Sequence, residues 1–310
     1  MISSPDSREF SGIIFLDKPT GWTSRRAVNE VVRLCSQLAG HRIKAGHAGT
    51  LDPLATGMLP ILIGEATRFA DVGLNAEKAY EVTFDLSRQT DTLDLEGEET
   101  GRFEAEVSPE RLLEVLERFR GPLQQVPPAY SAIRVDGKRA HALARRGEEV
   151  VLPPRAIEVF ELTLLDYRWP LVSLFVRCSK GTYIRSLARD IGTALGGGGC
   201  VTLLRRTSTG GWPAELMVTP EMLAADPGAC IVPLSRWLRE LPAVELSSID
   251  AKRFVQGQRI QQDGAAAGEA AVYSGGMLLG TADVKRGMVR MVLHPLRILP
   301  SAQQYFREST

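Results

Sequence analysis

The chain has 310 residues, room for two domains at about 150 residues each. Apolar residues make up 44% and charged residues 24%, which excludes wholesale disorder, and no apolar run reaches the roughly 18 residues of a spanning helix. Lys plus Arg (37) balances Asp plus Glu (37), no cationic-then-apolar leader opens the chain, and the cysteines at 35, 178, 200 and 230 form no C-x-x-C pair, so no zinc ribbon or disulfide framework is indicated and a cytoplasmic location is expected.

In chain order, Ile13 to Leu16 is a short apolar run, and Asp17-Lys18-Pro19-Thr20-Gly21 has turn chemistry. Thr23 or Ser24 then caps a predicted helix whose apolar residues Ala27, Val28, Val31, Val32, Cys35 and Leu38 recur at helical spacing. Residues 41–57 read as a loop with three glycines. Tyr80, Val82, Phe84 and Leu86 alternate as in a half-buried strand. Ser108-Pro109 opens a helix, because proline fits the first helical position, and Leu112, Leu113, Leu116 and Phe119 are its expected apolar stripe. Residues 121–155 hold five prolines and are expected to protrude. Residues 157–167 and 171–178 read as strands meeting near Trp169-Pro170. Ile184, Leu187, Ala188, Ile191 and Leu195 mark a helix stopped by Gly196 to Gly199. From about Val244 to Leu299, short strands and glycines replace helical patterns. The expected organisation is a mixed α/β unit, residues 1–241, followed by a small β-rich unit, residues 242–310, without internal repeats.

The zero net charge argues weakly against nucleic acid, but its distribution points the other way. Residues 91–117 carry ten acids against Arg102 and Arg111. Residues 134–146 carry five bases against Asp136, while residues 177–189 hold only bases until Asp190, and residues 285–297 hold four bases and no acid. An acidic block masking three basic segments raises the case for a polyanionic partner.

His47-Ala48-Gly49-Thr50-Leu51-Asp52-Pro53 is the strongest candidate for chemistry. The bland role for Asp52 is to cap a helix beginning at Pro53. A working carboxylate needs a presenting loop and a cation that favours its ionised form, which Arg185 in Lys180-Gly181-Thr182-Tyr183-Ile184-Arg185 would supply. Arg185 falls in the first turn of its helix, where the dipole disfavours a cation unless it is paired. The Gly196 to Gly199 run is not a dinucleotide fingerprint, since position 201 is valine.

These segments resemble one family. Phe15-Leu16-Asp17-Lys18-Pro19-Thr20-Gly21-Trp22-Thr23-Ser24 resembles the opening motif of the TruB family of tRNA pseudouridine synthases, and Gly46 to Gly57 resembles its catalytic loop. Lys78-Ala79-Tyr80 is similar to its K-x-Y motif, and Thr90-Asp91-Thr92 with Asp94 to its T-D-T-x-D stretch. Pro127 to Ala132 and Gly137-Lys138-Arg139 match its thumb, Cys178 to Arg185 its last active-site motif, and Leu204-Arg205-Arg206 follows at the expected distance. The match is colinear over about residues 12–215, and the tail from about 244 is similar to the family's PUA-like RNA-binding module. One departure is His141, where the family more often has tyrosine.

The resemblance implies a pseudouridine synthase fold: α+β, a mixed, mainly antiparallel sheet with flanking helices, a thumb at about 124–155 and a PUA-like C-terminal module. It implies a tRNA pseudouridine-55 synthase, which breaks the glycosidic bond of a flipped T-loop uridine and rejoins the base through C5. Asp52 is then the essential carboxylate, attacking C1′ or removing a C2′ proton, with Arg185 beside it. Tyr80 stacks on the base, a contact worth about 1–3 kcal/mol, and assists a late proton transfer. His47 inserts into the vacated T-loop, Tyr183 and Leu204 line the pocket, Lys18 supports the catalytic loop, and Asp91 contacts RNA or orders the site. No metal or cofactor is implied. The expected partner is tRNA through its T-arm, with neither a membrane nor an obligatory protein partner.

Two other readings stand beside it. The RNA-guided relatives that modify ribosomal RNA share the core but commonly carry basic tails, and Arg307 and Glu308 near the end of this chain form none. An RNA-folding helper is the other, and the intact Asp52, Tyr80 and Arg185 set argues against one without catalysis.

Overall fold

The computed structural model describes residues 10–308 apart from 132, 136, 137, 141, 142, 144, 145, 147 and 149; Gly137 and His141 of the thumb motif therefore lie outside the described residues. A nine-stranded sheet organises the first 240 residues. Its path runs β13 (Val232–Pro233), β1 (Gly12–Lys18), β3 (Thr56–Ile63), β12 (Cys200–Thr209), β4 (Lys78–Asp85), β11 (Leu171–Cys178), β10 (Arg155–Arg168) and β7 (Gly121–Gln125), with β2 (Ala45–His47) paired to β3. Every pairing is antiparallel except β12 with β3, where Arg205 and Arg206 lie opposite Thr56 and Gly57.

The sheet is covered on both faces. Alternate residues of a strand point to opposite sides, so Ile14 and Leu16 of β1 enter one apolar core while Ile13 and Phe15 enter a second. β3 divides likewise, with Leu59, Ile61 and Ile63 on one side and Met58 and Leu62 on the other. Helix α1 (Ser24–Ala39) covers the first face, and the Thr23 side chain caps it by accepting from the Arg26 amide at 3.1 Å. Its buried stripe takes Leu34 in place of the expected Leu38, which is 50% exposed. The short α2 (Ala70–Asn75) leads into β4, beyond which β5 (Arg88–Thr90) pairs with β6 (Glu99–Arg102). In α3 (Pro109–Glu117) Leu112, Val115 and Leu116 are buried, and Leu113 faces outward at 49% exposure. Both helices keep their predicted starts, but the stripe follows the 3.6-residue period rather than every leucine.

Beyond α3, the expected excursion includes β7 and two-residue strands β8 (Arg134–Val135) and β9 (Lys138–Arg139). β10 and β11 meet at Trp169-Pro170 as the sequence suggests, and that peptide bond is cis. Helix α4 (Ile184–Leu195) ends at Gly196, whose φ of 79° suits glycine at a helix terminus. A five-stranded sheet follows, ordered β14 (Ala243–Glu245), β16 (Gly268–Ser274), β17 (Met277–Arg286), β18 (Met291–Ile298) and β15 (Ile260–Gln262). The fold is α+β, with mainly antiparallel sheets.

Candidate active site

One pocket of about 820 Å³ opens where β12, β4 and the loop before β3 meet the starts of α1 and α4. The loop carrying Asp52 runs between β2 and β3, and its backbone is held from several sides. The Ser24 hydroxyl both donates to the Leu51 carbonyl and accepts from the Leu51 amide, each at 2.9 Å. The fully buried Lys18 ammonium donates to the carbonyls of Pro19, Trp22 and Pro53 at 3.0, 2.7 and 3.2 Å. Arg206 donates to Met58, Gly49 and Thr50 carbonyls at 2.6, 3.1 and 3.4 Å. No helix begins at Pro53, so Asp52 is not a helix cap.

Asp52 and Arg185, 133 residues apart, are in contact: Arg185 Nε donates to Asp52 Oδ2 at 2.8 Å. The same guanidinium donates to the Thr92 carbonyl at 2.7 Å and the Tyr130 carbonyl at 3.0 Å, and lies 3.5 Å from Asp94 Oδ2. Pairing with two carboxylates answers the unfavourable dipole at the start of α4. The Asp52 side chain remains 34% exposed toward the pocket, and only its Oδ2 takes part in these contacts.

Tyr80, Tyr183, Leu204 and His47 also line the pocket. Tyr80 projects from β4, and burial raises its phenol above the ordinary range, opposed in part by Arg206. Burial, helped by Arg206 and Arg25, lowers the His47 imidazole below 6.5 and favours its neutral form. Tyr183 is held through its backbone by Gln125, which accepts from its amide at 2.8 Å and donates to its carbonyl at 3.1 Å. Leu204 joins the first core as well as the pocket.

Two predicted residues sit elsewhere. Lys18 lies beneath the loop rather than in the lining, and burial lowers its ammonium to about 8. Asp91 is exposed and off the lining, accepting from the Tyr130 hydroxyl at 3.0 Å and the Glu98 amide at 2.9 Å. Sequence reasoning passed over Asp94, Arg206 and Lys78, which all line the pocket. Each stood in a quoted motif, but only the fold shows that it is buried against the loop or its neighbours. Among the described residues, no group of three His, Cys, Asp or Glu side chains could hold a metal ion, and no helix is long and apolar enough to cross a membrane.

The family model of the TruB pseudouridylate synthase N-terminal domain matches residues 37–184, and two C-terminal models of the same enzymes match 185–232 and 242–299. A tRNA pseudouridine synthase B of Azoarcus sp. (strain BH72) is 40% identical over 287 residues, covering 91% of this chain and 94% of its own. The chain belongs to the TruB family. Another TruB-family relative, a tRNA pseudouridine synthase B of Ralstonia pickettii (strain 12J), is 43% identical over 83% of this chain and 81% of its own. A chain from the crystal structure of a Cbf5-Nop10-Gar1 complex shares the fold at 23% identity, with a TM-score of 0.72 over 96% of this chain and 88% of that one. Asp52, Arg185 and the lining residues thus share one pocket in a TruB-family chain.

Proposed function

We propose that this TruB-family chain is a tRNA pseudouridine-55 synthase working in the cytoplasm without an obligatory protein partner, and that its pocket receives the flipped T-loop uridine. The carrying observation is the Asp52–Arg185 pair at the pocket: Arg185 fixes Oδ2 while the carboxylate keeps 34% exposure in the lining. From there Asp52 attacks C1′ or removes the C2′ proton; either frees the uracil from C1′. The base turns against Tyr80, C5 joins C1′, and the C5 proton is lost while N1 gains one, so the product is an isomer. Tyr183 and Leu204 shape the space, and neutral His47 in the lining is suited to stack in the T-loop where the base has left. Lys18 serves the loop, and Asp91, bonded to Tyr130, orders the thumb base. Residues 242–310 form an RNA-binding module, and cations there and in the thumb meet phosphates.

Tritium release from a tRNA transcript carrying [5-³H]uridine tests this directly, because C5 must lose its hydrogen. Release by the parent, none by Asp52→Asn, and none once the T-loop uridine is replaced are expected. No release from bare transcript by a folded parent would overturn the proposal and favour a guide-RNA-dependent enzyme or a binding-only role.

A further inference from the structure

The charges around the pocket do not pair off. Arg185 is met by Asp52 and Asp94, whereas Arg206 and Lys78 are held by carbonyls and, among the described residues, by no carboxylate. Both line the pocket, yet Arg206 is only 1% and Lys78 only 7% exposed. A buried cation without a counter-ion is costly, and carbonyl dipoles offset only part of that cost. Burial lowers Lys78 to about 8, so its ammonium persists at neutral pH. Strand register sets Arg206 directly opposite Tyr80 across β12 and β4, on the same face, and its charge opposes the rise that burial gives the Tyr80 phenol. The positive charge therefore stands beside the ring on which the base is to rest.

We propose that Arg206, backed by Lys78, is an electrostatic element of the reaction that stabilises uracil as an anion between bond breakage and rejoining. This rests on the function proposed above. When C1′–N1 breaks, the electron pair stays on N1 and its charge spreads to the two carbonyl oxygens. When C5 donates its π pair to C1′, that charge is consumed, and the C5 proton lost afterwards balances the one N1 takes up. A fixed, buried cation favours the charged interval without reorganising.

The test compares single-turnover base migration, read by nucleoside chromatography, in transcripts containing uridine or 5-fluorouridine, whose fluorine stabilises the departing anion. For Arg206→Gln we expect a rate about 10²–10³-fold below the parent on uridine, a penalty about tenfold or more smaller on 5-fluorouridine, and tRNA affinity within a few-fold. Arg206→Lys, which keeps the charge, recovers part of the uridine rate. Equal slowing of both transcripts, or none, would overturn the inference and leave Arg206 as an anchor of the Asp52 loop. If Arg206→Gln melts well below the parent, Lys78→Met carries the test, because Lys78 holds the carbonyls of Gly73, Leu74 and Ala76 rather than that loop. A parent inactive on both transcripts would instead refute the proposed function.

Discussion

Arg185 shows how one side chain ties separate stretches of sequence into a site. Its guanidinium donates to Asp52 and two carbonyls and pairs with Asp94, a fork that a lysine ammonium cannot reproduce. Arg185→Met leaves Asp94, only 4% exposed, without its cation, and removing one partner of a buried pair costs about 3–5 kcal/mol. Asp52 adds less to that loss because it faces solvent. Urea denaturation is expected to show a loss of this size, with Arg185→Lys intermediate in stability and in tritium release; an unchanged denaturation midpoint would contradict the hub. His47 supplies a pH signature. Its folded pKa lies below 6.5, so between that value and 6.5 the unfolded chain binds more protons, and stability rises with pH. The contribution is complete above 6.5 and is lost as pH falls through the folded pKa. His47→Gln is therefore expected to flatten the drop in melting temperature between pH 6.5 and 5, and a drop as steep as the parent's would assign it to other groups.

At the scale of elements, the central sheet depends on one close approach. Gly57 has φ +95°, and a Cβ there would lie 2.2 Å from the Arg206 carbonyl oxygen across the parallel β3–β12 pair. Gly57→Ala is expected to cost more than the 1–3 kcal/mol typical of overpacking, since backbone rather than a side-chain tip must yield, and to slow turnover because Asp52 and Arg206 flank the same junction. A melting temperature equal to the parent's would show that the strands separate freely. The helices were legible: capping by Thr23 and Ser108, proline at the first position and a glycine stop each act locally. The strands beside the site were less so. Residues 41–57 read as loop because β2 is only three residues long, with Gly46 at its centre, and β3 starts only at Thr56. β1 and β3 are buried on both faces, so they lack the alternation that reveals a strand such as β4. The motifs supplied Asp52 and Arg185, but their contact needs a sheet order that no local pattern carries.

Across the whole molecule, the second core spans the back of the central sheet and the C-terminal strands. Phe15, Trp212 and Trp237 pack together in it, and Phe254, Val272 and Leu293 belong to the same cluster. Polar links cross the same seam: Arg297 donates to Asp71 at 2.6 Å with its guanidinium 5.3 Å from the Phe69 ring centre, and Glu65 accepts from the Ser301 amide and hydroxyl at 2.6 and 2.7 Å. Among the described residues, by contrast, the pocket is lined only by residues between Thr23 and Arg206. A chain cut after Leu241 keeps every described lining residue but uncovers one face of the core. It is expected to melt earlier and bind an apolar dye, yet to retain, while folded, a single-turnover rate at saturating tRNA within a few-fold of the parent. If the module also grips RNA, as proposed, affinity falls and the dependence of log K on log salt becomes shallower by about 0.9 for each duplex phosphate contact removed. An unchanged salt slope with a lowered melting temperature would make the module a cover for the sheet and leave RNA binding to the pocket rim and thumb.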